Sequence, residues 1–252
     1  MRIDLRNKNI LLTGASRGIG AGIAKHLGTS GATIALHYNH NMMKAKNLAE
    51  EIGNNSFTIN ADLSDPKEVI RLFDEVKDKM GRIDVLINNA GIAIKSPTEG
   101  PDTEWYKDLQ DTIQINLLSA SLLCKKAVVH FKEKGGGIII NISSRAAFRG
   151  ETSEYLAYAA SKGGLVSLTK SIAKEFGRDG ISAFNIAPGF VKTDMAQEFL
   201  DEYGEAHLLK DLALNRITEP ADLGPIITLL ASGLAEHATG TTIDINAGSY
   251  MH

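Results

Sequence analysis

The stretch NILLTGASRGIG, residues 9–20, joins a short apolar run to a turn that holds three glycines. The run at 9–13 has the length of a buried strand, and a helical pattern begins at 18. Gly14, Gly18 and Gly20 permit a tight turn and close approach of a ligand to the backbone. A helix that starts at such a turn presents free N–H groups to a phosphate. The sequence therefore predicts a strand–turn–helix unit that binds a phosphate group.

The same alternation continues along the whole chain. Apolar runs typical of strands buried on both faces lie at 9–13, 33–38, 56–60, 84–89, 137–143, 181–187 and 241–246. Helical patterns lie at about 18–30, 41–52, 65–80, 102–133, 155–177 and 219–232. This order predicts an α/β fold, a doubly wound parallel sheet of about seven strands with helices on both faces. We expect residues 1–252 to form a single domain, in which about 190–215 is a lid on the substrate side.

Composition narrows the classes of function. The 252 residues carry a formal net charge of −3, which gives no electrostatic reason to expect nucleic acid as a partner. No apolar run approaches the roughly 20 residues of a membrane span, so no membrane association is expected. The single cysteine, Cys124, cannot form an internal disulfide and is consistent with a reducing, cytoplasmic location. No Cys/His cluster supports a metal site.

The end of the second strand indicates which dinucleotide the turn would hold. Sites for NAD place an acidic residue there to bind a ribose hydroxyl. Here the chain reads His37, Tyr38, Asn39 and His40, with no acid, and Arg17 lies inside the glycine turn. A guanidinium pairs well with a 2′-phosphate. These residues predict NADP(H) rather than NAD(H).

Tyr158 and Lys162 are four residues apart in a helical pattern and therefore share one face. A solvated surface pair is the alternative explanation. The same face continues through Leu165, Thr169, Ile172 and Phe176, which is mainly apolar and favours a pair that points inward. An ammonium beside the phenol is expected to lower the tyrosine pKa and make it a proton donor.

Together these segments resemble the short-chain dehydrogenase/reductase family, in its single-domain, NADP-dependent form with a Rossmann-like fold. The resemblance rests on TGASRGIG (13–20), ADLSD (61–65), NNAG (88–91), QIN (114–116), NISS (141–144), YAASK (158–162), APGFVKT (187–193) and TGTTIDINAG (239–248). It covers nearly the whole chain and is strongest to the 3-oxoacyl-[acyl-carrier-protein] reductases within the family.

The resemblance implies a role for each matching residue. The implied catalytic set is Asn116, Ser144, Tyr158 and Lys162. The implied cofactor-binding set is Gly14, Ser16, Arg17, Gly18, Ile19, Gly20, His37, Tyr38, Asn39, Asp62, Leu63, Asn89, Ala90, Gly91, Tyr158, Lys162, Pro188, Gly189, Val191 and Thr193. Tyr155 is expected to be a helix-entry or substrate-loop residue. Tyr158 follows Ser144 by fourteen residues, about one more than in these reductases, so the loop between them is expected to be enlarged.

The resulting hypothesis is an NADPH-dependent carbonyl reductase of 3-oxoacyl thioesters or related ketones. Two alternatives stay open, an NAD(P)-dependent alcohol or sugar dehydrogenase and a catalytically silent nucleotide sensor. The resemblance also implies a homotetramer. Acyl carrier protein is a possible partner, although Gly135 and Asp179 stand where the carrier-docking arginines are expected. Trp105, Met195 and His207 are candidate pocket residues.

Overall fold

The computed structural model describes residues 3–193 and 204–251, with only the backbone at 206 and 207. Seven strands run β1 Asn9–Leu12, β2 Thr33–Tyr38, β3 Phe57–Asn60, β4 Val85–Asn88, β5 Gly137–Ile142, β6 Ile181–Pro188 and β7 Thr242–Ile245. They form one sheet in the order β3-β2-β1-β4-β5-β6-β7, and every pair is parallel. Each predicted strand is present to within one residue at either end, which confirms the predicted fold class.

Helices cover both faces of this sheet. They are α1 Gly18–Thr29, α2 Met42–Ile52, α3 Pro66–Met80, α4 Asp102–Ile113, α5 Ser119–Lys134, α6 Ala146–Arg149, α7 Leu156–Phe176, α8 Glu205–Leu209 and α9 Pro220–Ser232. Helices α1, α2 and α9 pack on one face around a core that includes Ile23, Leu48 and Ile227. Helices α3, α5 and α7 pack on the other around residues such as Phe73 and Phe131. Both faces of the strands are therefore buried, which explains their continuous apolar runs.

The stretch predicted as one helix over 102–133 is interrupted. A π-helical segment, Gln114–Leu118, joins α4 to α5. The combined stretch Asp102–Lys134 is long and apolar enough to cross a membrane by length and composition alone. Core helices of soluble proteins pass the same criterion, and Leu123, Ala127 and Phe131 of this stretch are buried in the core beside the sheet.

The predicted lid at 190–215 falls largely outside the described residues, because 194–203 are not described. Of the remainder, Val191 forms an isolated parallel bridge with Thr218, and α8 is a short helix of five residues. The lid therefore stays a prediction.

Candidate active site

The glycine turn adopts a conformation that only glycine accepts readily. Gly14 and Gly18 have φ angles of 62° and 52°. A Cβ on Gly14 would lie 2.8 Å from the Cα atom of Ala90. Arg17 precedes α1 and makes no side-chain hydrogen bond that caps it. The first-turn amides of α1 are thus free of a capping side chain, as a phosphate site requires.

Two side chains fasten the turn to the end of β4. Thr13 Oγ1 accepts hydrogen bonds from the N–H groups of Asn89 (2.9 Å) and Ala90 (3.0 Å). The Asn89 amide in return donates to the carbonyls of Thr13 (2.9 Å) and Gly14 (3.0 Å). The structure thus places Asn89 and Ala90 directly against the turn. Thr13 was not predicted as a site residue, because its only signal in the sequence is its position as the last residue before the turn.

The His37 side chain is buried beneath the glycine turn. Its side chain is 2% exposed. Its Nδ1 accepts from the Gly14 N–H (3.1 Å), and its Nε2 lies 3.0 Å from the Ala61 carbonyl. Burial lowers the pKa of His37 to about 4. The imidazole is therefore enclosed beneath the turn, which it supports, and contact of His37 with the cofactor stays a prediction.

The adenine side of the expected site lies where β2 and β3 end. The Asp62 carboxylate accepts from the Ser64 N–H at 2.9 Å, and this hydrogen bond lowers the pKa of Asp62. Leu63 is 5% exposed, so only its backbone is available to a ligand. Asn39 and Arg17 are exposed, and Tyr38 is half-buried. These residues remain candidates as the sequence suggested them.

Lys162 is buried at the centre of the site. Its side chain is 4% exposed, and its Nζ donates to the Ile142 carbonyl at 3.0 Å. Burial lowers the pKa of Lys162 to about 8. A Cβ on Gly91 would lie 3.3 Å from this Nζ and 3.2 Å from Asn116 Oδ1. Gly91 therefore lies against both Lys162 and Asn116. The inward orientation of Lys162, predicted from its helical face, is confirmed.

Tyr158 and Ser144 face each other across the site. Burial raises the pKa of Tyr158, a hydrogen bond with Ser144 opposes the rise, and the Glu151 carboxylate adds to it. Lys162 was expected to lower the pKa of Tyr158, and for the protein alone this expectation is wrong. The Lys162 Nζ donates to a carbonyl and lies 5.6 Å from the tyrosine ring centroid. Ser143 Oγ instead donates to the Lys162 carbonyl at 3.0 Å. This geometry favours Ser144 over Ser143 as the serine that reaches substrate.

Asn116 lies in the π-helical segment and is held at both ends of its amide. Its Oδ1 accepts from the Ile92 N–H (2.8 Å), and its Nδ2 donates to the Ile92 carbonyl (2.8 Å) and to Ser161 Oγ (3.0 Å). Short π-helical segments inside α-helices occur frequently at functional sites. Ser161 was not predicted, although it directly precedes Lys162 in the sequence.

Residues 188–193, the segment expected at the nicotinamide, form another side of the site. The Gly189 N–H donates to the Ile245 carbonyl at 3.1 Å. A Cβ on Gly18 would lie 3.2 Å from Thr193 Cγ2, so this segment meets the glycine turn. Val191 is 5% exposed and offers only its backbone. Pro188 ends β6, and its carbonyl accepts from the Arg145 N–H at 3.0 Å.

A ladder of buried asparagines supports the site from below, and the sequence analysis missed it. Asn88, Asn141 and Asn185 are register partners across β4, β5 and β6. Asn88 Nδ2 donates to Asn141 Oδ1 (2.8 Å), and Asn141 Nδ2 donates to Thr169 Oγ1 (2.8 Å). The signal in the sequence is an asparagine near the end of three strands, but its meaning depends on the strand register.

The remaining candidates lie around this centre. Tyr155 directly precedes α7, as a helix-entry residue would. Trp105 is half-buried on α4. Met195 and the His207 side chain lie outside the described residues. Within the described part of the chain, no group of three or more His, Cys, Asp or Glu residues is arranged to hold a metal ion.

Comparison with known proteins agrees with this geometry. Residues 14–250 match the family model described as enoyl-(acyl carrier protein) reductase. The 3-oxoacyl-[acyl-carrier-protein] reductase FabG of Staphylococcus aureus is 37% identical over 97% of this chain and 98% of its own. The 3beta-hydroxysteroid dehydrogenase 1 of Eggerthella lenta is 32% identical over 99% of this chain and 96% of the relative.

A solved structure extends the likeness to the fold. The short chain dehydrogenase from Burkholderia cenocepacia in complex with NADP has a TM-score of 0.88 and 29% identity. The superposition covers 97% of this chain and 98% of the Burkholderia chain. The chain belongs to the short-chain dehydrogenase/reductase family of oxidoreductases.

Proposed function

We propose that the protein is an NADPH-dependent carbonyl reductase that acts on small 3-oxoacyl thioesters or related ketones. One observation carries the proposal. Tyr158, Ser144, Lys162 and Asn116 converge at the carboxyl edge of the sheet, around Gly91 and beside the glycine turn. In open α/β sheets this edge is where ligands bind.

NADP(H) is the cofactor. The positive φ angles of the turn and the uncapped start of α1 support a phosphate site at this edge, and the absence of a side chain at Gly91 keeps the backbone there open beside Lys162. Arg17 is exposed and forms no ion pair with another described residue, and no acid stands at 37–40 to repel a 2′-phosphate. When bound, NADPH supplies the hydride. The structure of the Burkholderia relative with NADP supports this choice.

The side chains of the chain supply the proton and hold the carbonyl. The Tyr158 hydroxyl donates its proton to the oxygen of the ketone as negative charge develops there. Ser144 Oγ, which is hydrogen-bonded to that hydroxyl, donates a hydrogen bond to the same oxygen. Lys162 is buried one helical turn away and donates to the Ile142 carbonyl, so in the protein alone it does not lower the pKa of Tyr158. With NADPH bound, its ammonium would hold the ribose hydroxyls of the cofactor. Asn116 keeps the π-helical segment and Ile92 together beside them.

The surface around the expected carrier-docking positions supports a small substrate. The nearby cations are Lys132, Lys134 and Arg178, but Lys132 Nζ lies 3.2 Å from the Asp179 carboxylate. This ion pair reduces the positive charge available to an acidic carrier protein. Docking of acyl carrier protein is accordingly weaker than in a dedicated fatty-acid reductase.

The test is a panel of ketones and 3-oxoacyl thioesters, followed by oxidation of NADPH and of NADH. Substrates attached to carrier protein and to a short thiol are compared at low and high salt. We expect kcat/KM with NADPH to exceed that with NADH by at least about tenfold, or about 1.4 kcal/mol. A large, salt-sensitive preference for the carrier would instead assign the protein to fatty-acid synthesis. Preferential oxidation of an alcohol or sugar with NAD would favour a dehydrogenase.

Two tyrosine variants test whether the activity measured with the panel arises at this site. Tyr158→Phe removes the proton donor with little change in packing, so turnover should fall at least about 100-fold while NADPH binding is kept. Tyr155→Phe is the matched control and should stay active. The opposite pair of phenotypes would overturn the assignment of the proton donor. Cofactor binding without turnover of any carbonyl compound or alcohol by the unmodified protein would point to a nucleotide sensor.

The proposal includes a cytoplasmic homotetramer with neither nucleic acid nor membrane as a partner. The net charge of −3 and the core packing of the long helix support the last two points. Several large apolar side chains are exposed on α4, α7 and the π-helical segment, which supports an interface between copies.

A further inference from the structure

The loop between Ser144 and Tyr158 places charged side chains beside the reacting groups. It consists of the short helix α6, a turn at Gly150 with a φ angle of 79°, and a 3₁₀ turn that leads into α7. Arg145, Arg149 and Glu151 are its charged residues up to that turn. The segment is one residue longer than the family resemblance implies, and the reaction itself uses none of these three side chains.

Arg145 is fixed at its backbone between the serine and the end of β6. Its N–H donates to the Pro188 carbonyl at 3.0 Å. The preceding serine accepts at its Oγ from the Ala146 N–H at 3.1 Å. The arginine side chain therefore starts directly after Ser144, the serine proposed to hold the substrate carbonyl.

The guanidinium of Arg145 has an unused donor. Its Nη1 is buried and has no hydrogen-bond acceptor within residues 3–193 and 204–251. Burial and the nearby Arg149 lower the pKa of Arg145, while Glu151 and Asp211 partly offset this effect. Buried N–H groups in proteins almost always have an acceptor. A buried donor without an acceptor, on a residue directly after Ser144, is available to an acceptor on a ligand.

Glu151 relates this guanidinium to the catalytic tyrosine. Its carboxylate raises the pKa of both Tyr158 and Arg145, so it lies within electrostatic reach of both groups. The Glu151 side chain is 19% exposed and forms an ion pair with Arg149, whose Nη2 lies 3.5 Å from the carboxylate. Arg145 and Tyr158 therefore share a charged neighbour on the substrate side of the loop.

We propose that Arg145 binds a carboxylate of the substrate, so that the preferred substrates are small oxo acids rather than their neutral esters or thioesters. A guanidinium matches a carboxylate through two parallel hydrogen bonds. Of the charges around Arg145, Glu151 and Asp211 repel such an anion and Arg149 attracts it. This inference rests on the proposed carbonyl reductase function and favours its second substrate class, the related ketones, over the 3-oxoacyl thioesters.

The test compares 3-oxobutanoate with its methyl ester and with its short-chain thioester. The unmodified protein should give a kcat/KM for the acid at least about 10-fold above that for the ester. Arg145→Gln should lower kcat/KM for the acid about 100-fold and change that for the ester by less than about threefold. Arg145→Lys should retain part of the preference, because a point charge remains but the planar fork is lost.

Arg149→Gln is the matched control, since it removes the same charge from the same loop but leaves the guanidinium of Arg145 in place. Because Arg149 acts on the anion only through its charge, this variant should lower kcat/KM for the acid by much less than Arg145→Gln does. Calorimetric titration with 3-hydroxybutanoate should show that Arg145→Gln weakens binding far more than Arg149→Gln does. Equal reduction of acid and ester by the unmodified protein overturns this inference and leaves the reductase proposal intact. Failure to reduce any of the three compounds, or any ketone of the wider panel, overturns the reductase proposal itself.

Discussion

At His37, burial and two hydrogen bonds select one neutral form of the imidazole. Because the Gly14 N–H donates to Nδ1, that nitrogen carries no proton, and Nε2 donates to the Ala61 carbonyl. The ring thereby connects the glycine turn to the residue that follows β3. We expect His37→Leu, which leaves the Gly14 N–H and the Ala61 carbonyl without this partner, to cost about 1–3 kcal/mol of stability and to weaken NADPH binding.

The pH dependence of that cost follows from the pKa of His37. Since the folded-state pKa is about 4 and the ordinary value is 6.5, the unfolded chain binds a proton that the folded chain does not between these pH values. The contribution of His37 is therefore complete above pH 6.5 and is lost as the pH falls toward 4. Urea unfolding of the wild type and His37→Leu should give stabilities that converge over this window. His40→Leu, at an exposed neighbour, is the control, and a difference that grows on acidification would contradict the account.

Among single residues, those with a spacing signal were predictable and those that depend on tertiary contacts were not. The spacing of Tyr158 and Lys162 places them on one helical face, and that face is the buried one. The sequence around His37 shows an absent acid but carries no sign that the ring turns under the glycine turn. Likewise, nothing in the order of residues reveals that Arg145 Nη1 lacks an acceptor.

At the scale of the element, the glycine turn permits a comparison between two glycines with nearly equal φ angles. Gly14 has a φ angle of 62° and Gly53 one of 64°, but a Cβ at Gly53 would meet no atom within 4 Å. Alanine at either position should cost about 1–3 kcal/mol through backbone strain. Only Gly14→Ala should also displace Ala90 and abolish cofactor binding. Calorimetry with NADPH and thermal unfolding separate the two effects, and equal NADPH affinity of both variants would contradict this role for the turn.

The helices and strands themselves were largely predictable from periodicity. Continuous apolar runs gave strands buried on both faces, and five of the six predicted helices agree with the observed bounds to within one residue. The short helix α6 was not predicted. The π-helical segment at Gln114–Leu118 was not predictable, because its residues continue the same amphipathic pattern as the α-helices beside it. The hydrogen bonds of Asn116 to Ile92 and Ser161 lie across the fold, and they accompany the change in helix type.

For the molecule as a whole, the layered architecture follows from the order of the helices and strands. Assembly into an oligomer depends instead on the apolar side chains that these elements leave exposed. Tyr106, Leu118, Val129 and Leu156 are 57%, 50%, 50% and 45% exposed. They lie on or next to the long helices α4, α5 and α7, which the family resemblance pairs between subunits. Burial of such side chains against a second copy would remove apolar surface from water and stabilise an oligomer.

We therefore expect light scattering from a dilute solution to give a mass of about four times 27.1 kDa. Leu118→Glu places a charge in the expected interface and should shift the mass toward smaller species, because an unpaired carboxylate is costly to bury. Met43→Glu is the matched control, since Met43 is 64% exposed on α2, which packs on the opposite face of the sheet. It should leave the mass unchanged. A monomer mass for the unmodified protein would refute the tetramer, and an effect of Met43→Glu equal to that of Leu118→Glu would place the interface elsewhere.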